Sequence, residues 1–188
     1  NKIVCIYAGK FGGSYMVKEV FDFFRVCEQH WGEQFRALLL NNHTAAEITN
    51  WATESGFDAQ KIVKRFVPHA QVPAYMGLAN FAITPFIPVP SKRYGTPVKT
   101  GEYLAMGLPV VIPPNISDDS DVIAKHQIGS IMHEFSEAGY QKNVQEIAQI
   151  LASHNRKELF AKIRRIGKEY RGLQRAEQVY QEIYGDLK

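Results

Sequence analysis

Short apolar segments alternate with amphipathic segments from the first residues of the chain, and this alternation constrains the fold more than any other feature. Runs such as Ile3–Ala8, Phe35–Leu40 and Val110–Ile112 are typical of strands buried on both faces of a sheet. Between them, segments such as Tyr15–His30 repeat apolar residues at helical spacing. Because such alternation builds right-handed βαβ units, we predict an α/β fold: a three-layer, Rossmann-like parallel sheet with helices on both faces.

Turn and cap signals divide this pattern into six strands and several helices. The second helix has a candidate capping box, in which Thr44 caps the helix start and Glu47 lies three residues on. A later helix begins near Pro97, contains Glu102 and is stopped by Gly107. The predicted strands are Ile3–Ala8, Phe35–Leu40, Ile62–Val67, Phe81–Pro85, Val110–Ile112 and Ile128–Met132, and the other predicted helices are Tyr15–His30, Asn42–Gly56, Val72–Leu78, Asp118–His126 and those beyond Tyr140.

Composition and cysteine usage set the broad class of the protein. The 188 residues are 45% hydrophobic and 22% charged, which is usual for a globular domain with a substantial core. Cys5 and Cys27 stand in apolar patterns, so we predict buried thiols in a reducing cytoplasm. We expect a Rossmann-like domain over residues 1–153 and C-terminal helices over residues 154–188 that pack on the same domain.

The net charge of +3 is unevenly distributed along the chain. Residues 155–188 carry nine Lys and Arg against five Asp and Glu, so the body of the domain is close to neutral. A nucleic-acid-binding core would show a basic face with interleaved aromatic residues, so nucleic acid is not an expected partner. Contact with anionic lipid competes with a solvated helix face, which is the favoured interpretation, for the basic residues Lys162, Arg164, Arg165, Lys168 and Arg171.

A glycine-bearing turn joins the first strand to the first helix over Gly9–Ser14. Lys10, Gly12, Gly13 and Ser14 lie in the context of a phosphate cradle, where backbone N–H groups and a cation meet an anion. The spacing matches neither the dinucleotide fingerprint nor a Walker loop, so the motif alone is weak. A tight strand–helix turn without function is an equally good interpretation.

The segment around Glu102 carries the most informative chemistry. Free N–H groups at a helix start suit anionic oxygens, and a carboxylate one turn in can accept hydrogen bonds from sugar hydroxyls. Lys99 and Glu102 stand at this helix start together with Thr96, Pro97 and Thr100, in a loop expected at the carboxyl ends of the strands. The competing interpretation is a solvated lysine and a carboxylate that merely complements the helix dipole.

Two further groups have competing interpretations. His69 follows a strand and could hold a base or phosphate, although a lone loop histidine is more often structural or exposed. Asp118, Asp119 and Asp121 resemble a divalent-metal cluster, but Asp118 is well placed as a helix N-cap. We favour the cap, because a carboxylate metal site needs several convergent oxygens. No metal site and no resident cofactor are therefore expected.

Together these segments resemble the C-terminal domain of the retaining family 4 glycosyltransferases, which have two Rossmann-like domains (the GT-B type). The family's strand followed by Gly-Arg is matched by Gly9-Lys10, and its V-P-x-x-x-V-P-x-Y pattern by Val67–Tyr75. Its E-x7-E signature is matched at the second acid by Glu102, and the following A-x-G-x-P-V-V by Ala105–Val111. The resemblance covers residues 3–153 and implies the C-terminal half of a GT-B enzyme.

This resemblance implies roles for individual residues. In the family, the second acid hydrogen-bonds the donor ribose and the basic residue after the first strand neutralises the diphosphate, which here are Glu102 and Lys10. Tyr94 stands at the place of the first acid, which in the family contacts the transferred sugar. A second basic residue common around the position of Tyr15 is also absent, so neutralisation is expected to fall on Lys10 and Lys99.

The functional expectation is a donor-binding domain for a nucleotide-diphosphate sugar, transferred with retention to a cell-surface glycan or lipid-linked acceptor. The alternatives are a nucleotide-sugar epimerase of the same fold and a non-catalytic nucleotide-binding or scaffolding module. The nucleotide sugar is the substrate, and the acceptor-binding N-terminal domain is an expected partner, because the chain begins at a strand without a methionine and is interpreted as a fragment. The expected location is cytoplasmic, with contact at the inner membrane face where the acceptor is lipid-linked.

Overall fold

The computed structural model describes residues 2–153 and 155–185, and it contains one six-stranded parallel sheet. The strand order is β3-β2-β1-β4-β5-β6, so the order reverses direction between the two central strands, β1 and β4. All five strand pairs are parallel. The strands are β1 (Ile3–Ala8), β2 (Phe35–Leu40), β3 (Ile62–Arg65), β4 (Phe81–Ile83), β5 (Val110–Ile112) and β6 (Gly129–Ile131). The predicted fold class is confirmed.

Eight helices connect or follow the strands in the described residues. Short 3-10 turns precede several strands and helices, including Pro90–Tyr94 ahead of the fourth helix. The helices are α1 (Lys18–Trp31), α2 (Ala45–Ser55), α3 (Val72–Met76), α4 (Val98–Ala105), α5 (Asp119–His126), α6 (Glu137–Ser153), α7 (Arg156–Arg171) and α8 (Leu173–Tyr184). None of the helices within residues 2–153 and 155–185 has both the length and the hydropathy needed to cross a bilayer.

Alternating side chains of the strands build two cores, one on each face of the sheet. Cys5 and Tyr7 of β1 pack in the core that includes α1, α2 and α6. Ile6, which lies between them in the strand, packs in the core that includes α3, α4, α5 and α7. Successive side chains of a strand point to opposite faces, so a continuous apolar run fills both cores. Cys5 and Cys27 are buried free thiols, as predicted, and burial raises the pKa of each.

Several predicted boundaries were wrong by one to three residues. The first helix begins at Lys18 rather than near Tyr15, because Tyr15 forms antiparallel bridges to Gly12 and Phe86. The third, fourth and sixth strands end earlier than predicted, since ladder pairing stops where the loops at their carboxyl ends begin. Pro97 caps α4 rather than lying in its first turn.

Three helix ends can be compared with the cap and stop signals predicted from the sequence. Thr44 and Glu47 form the predicted capping box, with the Thr44 hydroxyl accepting from the Glu47 N–H at 3.2 Å. Asp118 occupies the N-cap position of α5 but makes no side-chain cap hydrogen bond, so its predicted capping role was wrong. The predicted stop at Gly107 is present, with a left-handed φ of 76°.

The C-terminal helices differ in how they are held. Leu159, Ile163 and Ile166 of α7 are buried against α4, where Gly167 lets the two helices approach closely. Leu173 of α8 is exposed, and Val179 is the one residue of that helix that is partly covered. The predicted division at residue 153/154 stays a prediction, and residues 154 and 186–188 lie outside the described residues.

Candidate functional site

The residues singled out in the sequence gather where the strand order reverses. The loop after β1 and the loop after β4 flank this point, and Met16 N–H donates to the Pro85 carbonyl at 2.8 Å across it. Open parallel sheets bind ligands in the crevice at this position, beyond the carboxyl ends of the strands. Helix α4 starts at the same edge, and we call the group of loops formed by residues 9–16, 84–97 and the start of α4 the switch-point site.

Lys99 is the cation at the centre of the switch-point site. Its ammonium lies 4.0 Å from the ring centroid of Tyr15 and 5.7 Å from that of Tyr7. A Cβ added to Gly9 would overlap the Lys99 Cε and come within 2.7 Å of Nζ. Gly9 therefore permits the lysine to lie across the β1 loop. The two aromatic faces stabilise the ammonium without neutralising its charge.

The inner face of α4 fastens the helix to the ends of β1 and β4. The Tyr103 hydroxyl accepts the Ala8 N–H at 2.9 Å, and burial raises the pKa of Tyr103. The Thr100 and Thr84 hydroxyls are buried and 3.2 Å apart. These contacts fix the helix start relative to the β1 loop, because one is made to each of the two central strands.

Glu102 and His69 are brought together, although 33 residues separate them. Nε2 of His69 lies 3.2 Å from Oε1 of Glu102; the histidine is 88% exposed and the carboxylate 33%. A cavity of about 130 Å³ lies beside the pair. Its other lining residues are apolar: Val72, Pro73 and Met76 of α3, Ala105 at the end of α4, and Met106 directly after it.

The glycine turn does not open directly into a helix. Gly12 and Gly13 have left-handed φ values of 82° and 63°, and four residues separate Gly13 from the start of α1. The Lys10 side chain is exposed, while its carbonyl accepts the Tyr7 hydroxyl at 2.6 Å. The predicted direct passage from the glycine turn into α1 was therefore wrong, whereas the phosphate cradle itself stays a prediction. The turn instead faces the start of α4, where Lys99 lies.

Thr96, Pro97 and Thr100 are placed differently from one another. Thr96 is exposed, and together with Pro97 it lines a cavity of about 160 Å³ between the β4 loop and Ile116. Thr100 is fully buried, so its hydroxyl is not open to a ligand and only its backbone faces the helix start. The hydroxyl contacts that of Thr84, and the assignment of Thr100 to the donor-binding residues stays a prediction.

Two residues of the site were missed in the sequence. His43 Nε2 accepts the Phe11 N–H at 3.0 Å and its ring packs 5.0 Å from that of Trp51, so it holds the glycine turn against α2. Lys92 donates to the Ser14 hydroxyl at 3.1 Å. His43 stands directly before the Thr44 cap, but no local pattern indicates its distant partner.

The three aspartates do not converge on a common point. Asp119 is buried and bidentate to Arg171, at 2.6 and 2.8 Å, and Asp121 pairs with Arg93 at 2.7 Å. Burial raises the pKa of Asp119, and Arg171 opposes that effect. Among residues 2–153 and 155–185, no group of three His, Cys, Asp or Glu side chains could hold a metal ion.

Residues 89–172 match the family model of the glucosyltransferase 3-like C-terminal domain. This match includes α4, Lys99 and Glu102, but it begins at residue 89 and therefore does not include the glycine turn. No curated protein matches the chain by sequence.

Solved structures of glycosyltransferases share the fold. WaaG, a glycosyltransferase involved in lipopolysaccharide biosynthesis, superposes with a TM-score of 0.71 at 14% identity, over 98% of this chain and 47% of that one. Sucrose-phosphate synthase from Thermosynechococcus elongatus gives 0.70 at 16% identity, over 98% and 46%. The pneumococcal O-GlcNAc transferase GtfA, in complex with UDP and GlcNAc, gives 0.65 at 12%, over 98% and 36%.

These likenesses define the class of fold. The chain has the fold of the C-terminal half of a GT-B glycosyltransferase, as the sequence motifs predicted. It spans less than half the length of the three structures described above.

Proposed function

We propose that the chain is the donor-binding domain of a GT-B glycosyltransferase and binds a nucleotide-diphosphate sugar at the switch-point site. The observation that carries this proposal is the placement of Lys99 and Glu102. They are three residues apart on one face of α4, and Lys99 lies across Gly9 at the end of β1. A cation followed one turn later by a carboxylate suits a phosphate followed by a ribose.

Each end of the donor has a counterpart in the site. Glu102 accepts hydrogen bonds from the ribose hydroxyls, and the backbone around Val67–His69 meets the base beside the apolar cavity of α3 and α4. Lys99, Lys10 and the Gly12-Gly13 amides meet the diphosphate. Ser14, Thr96 and Pro97 line the path of the diphosphate towards the sugar. The exposed His69–Glu102 pair and the apolar cavity beside it support the placement of the ribose and the base at this end of the site.

The chemistry of the site is electrostatic. When the bond to the sugar breaks, negative charge develops on the leaving diphosphate, and fixed cations and N–H groups stabilise it. Lys99 is suited to this role because Tyr103 and Thr100 fix the start of its helix. The family resemblance implies transfer with retention. The first acid, which in the family contacts the transferred sugar, is absent from this chain. Tyr94 stands at its place and is 90% exposed.

The epimerase and the non-catalytic module predict different behaviour. An epimerase would convert the free donor without an acceptor, and a module would bind donor without any reaction. The family match and the glycosyltransferase structures favour transfer over both. Product formation from donor plus acceptor by a protein that carries both domains distinguishes the three.

The biological setting that we propose is polysaccharide or glycolipid synthesis at the cytoplasmic side of a membrane. The basic outer surface of α7 supports peripheral contact with anionic lipid, since Arg164, Arg165 and Lys168 are exposed. Arg171 does not take part, because it pairs with Asp119. A lipid-linked acceptor would then lie close to the donor site, with the acceptor-binding domain as the partner.

The proposal is tested first by ligand binding. A thermal-shift panel of nucleoside diphosphates identifies the base, and calorimetry then compares that diphosphate with its nucleoside at low and high salt. The diphosphate should bind better, and more so at low salt, because screening weakens the attraction between ammonium groups and phosphates. Lys99→Met should narrow this gap, whereas the matched control Lys142→Met on α6 should not. Equal binding of nucleoside and diphosphate would contradict the assignment.

Catalysis is expected only when an acceptor domain is present. An open half-site neither positions the acceptor nor excludes water, and both effects account for much of the rate of transfer. Donor affinity of the 188-residue chain should be modest, with a dissociation constant of about 1 mM. The chain is incubated with labelled donor and lipid-linked acceptors, beside a two-domain enzyme as control. Robust transfer by the chain alone would show that this division of roles is wrong.

A further inference from the structure

Lys92 reaches the glycine turn from the loop that precedes α4. It lies in the 3-10 turn Pro90–Tyr94, and its ammonium donates to the Ser14 hydroxyl at 3.1 Å, across 78 residues of sequence. The same ammonium is 5.2 Å from the ring centroid of Phe86. Lys92 therefore bridges the loop after β4 and the loop after β1, the two loops that flank the switch point.

Lys92 differs from the arginine beside it. Arg93 is neutralised by Asp121 at 2.7 Å and also donates to the Ser117 carbonyl at 3.0 Å. Lys92 has no carboxylate partner among the described residues, and its one side-chain hydrogen bond is to a neutral hydroxyl. An ammonium has three donors, so its charge and two of its donors are left for another group.

Lys92 and Lys99 flank a single aromatic pair. The Tyr15 and Phe86 rings are 4.6 Å apart; Lys99 lies over Tyr15 at 4.0 Å and Lys92 over Phe86 at 5.2 Å. The contacts therefore follow one another in order. They lead from the His69–Glu102 pair to Lys99, one turn nearer the helix start, and from Lys99 through the aromatic pair to Lys92 beside the glycine turn. This order parallels ribose, first phosphate and second phosphate in a nucleoside diphosphate.

A small cavity continues beyond Lys92. It has a volume of about 160 Å³ and is lined by Lys92 together with Phe86, Gly95, Thr96, Pro97 and Ile116. Lys92 is its one charged lining residue among those described. The cavity lies next to the start of α4, since Thr96 and Pro97 directly precede that helix.

We propose that Lys92 holds the phosphate distal to the nucleoside, the one that carries the transferred group, and thus supplies the second basic residue that is absent around Tyr15. This assignment rests on the proposed function and adds a residue to it. The Ser14 hydroxyl and the Phe86 ring position the ammonium. Lys99 and Lys92 then share the two phosphates between them.

The test compares nucleoside, monophosphate and diphosphate, all with the base found in the thermal-shift panel. Calorimetry on the 188-residue chain is repeated for Lys92→Met, Lys92→Arg and Lys99→Met, with Lys142→Met as control. Methionine keeps an unbranched side chain and removes the ammonium, with both its charge and its N–H donors. Lys92→Met should leave monophosphate affinity within about twofold and lower diphosphate affinity about tenfold, the loss expected for a charge-assisted hydrogen bond. Lys92→Arg should recover most of it, and Lys99→Met should weaken both ligands.

The outcomes separate this assignment from the proposed function. Circular dichroism and the melting temperature establish that each variant is folded. If the unmodified chain binds none of the nucleotides, the proposed function and this assignment are both overturned. If the chain prefers diphosphate and Lys92→Met keeps that preference, the assignment alone is overturned. An equal loss of monophosphate and diphosphate binding in Lys92→Met would likewise overturn it, because the lysine would then act at the first phosphate or on the loop as a whole.

Discussion

The two faces of α4 differ in what their side chains contact. On the inner face, Thr100, Tyr103 and Leu104 are fully buried and bind the helix to strands β1 and β4 and to α7. On the outer face, Lys99 and Glu102 remain partly exposed, and each contacts a residue of a different loop. A helix of eight residues can therefore be closely packed on one face and accessible to solvent on the other. The inner face determines stability, and we expect the outer face to determine ligand binding.

The largest effect on stability should come from substitution of Gly107, the residue at which α4 is stopped. Gly107→Ala places a side chain at a φ of 76°, with its Cβ 2.8 Å from the Cα and the carbonyl oxygen of Phe160 in α7. Left-handed strain and overpacking together should lower the free energy of unfolding by about 3 kcal/mol, measured by urea denaturation. Gly101→Ala is the matched control, because nothing lies within 4 Å of its added Cβ. The control should stabilise α4 by up to about 1 kcal/mol.

Equal destabilisation by both glycine variants would contradict the comparison. In that case the approach of α7 to the end of α4 would not be what fixes the inner face.

On the outer face, Glu102→Gln should act on ligand binding rather than on stability. Loss of a charge-assisted hydrogen bond to the ribose should weaken nucleoside binding by about 2 kcal/mol. The melting temperature should hardly change, since the carboxylate is partly exposed and contacts an exposed histidine. Calorimetry with the nucleoside gives the affinity, and inorganic diphosphate serves as the control ligand, whose binding should be unaffected. Unchanged nucleoside affinity would remove Glu102 from the ribose site.

On the inner face, Tyr103→Phe should lower the free energy of unfolding by less than Gly107→Ala does. It leaves the partly buried Ala8 N–H without its partner at 2.9 Å and changes little else. An unsatisfied donor of this kind lowers the free energy of unfolding by about 1.5 kcal/mol, which urea denaturation would measure. Nucleoside affinity of the folded variant should be retained. A large loss of affinity without a loss of stability would place Tyr103 on the ligand side of the comparison.

The smallest effect should follow from His69→Ala. The ring is 88% exposed, so its pairing with Glu102 is largely screened by solvent and contributes little to stability. Nucleoside binding should weaken by less than about threefold, because the histidine orients the carboxylate without replacing it. The ratio of nucleoside affinities between His69→Ala and Glu102→Gln checks this ranking. A greater loss for the histidine variant would make His69, rather than Glu102, the principal contact.

Much of the fold could be predicted from local sequence. The bounds of β1, β2 and β5 were right, since uninterrupted apolar runs fill both faces of a parallel sheet. The capping box of α2 and the glycine stop of α4 were also right, because each depends on atoms within a few residues of the chain. The motif around Glu102 likewise predicted the class of fold.

The tertiary structure decided which side chains meet. The contacts of Lys92 with Ser14, of His43 with Phe11 and of Asp119 with Arg171 join segments 78, 32 and 52 residues apart. Thr100 and Lys99 are neighbours in sequence, yet one is buried against β4 and the other lies open over Gly9. The sequence pattern determines whether a segment forms a helix or a strand, because this depends mainly on residues close together in the chain. The order of the strands and the crossing of α4 over them determine the partners of each loop, and these arise only when the whole sheet has assembled.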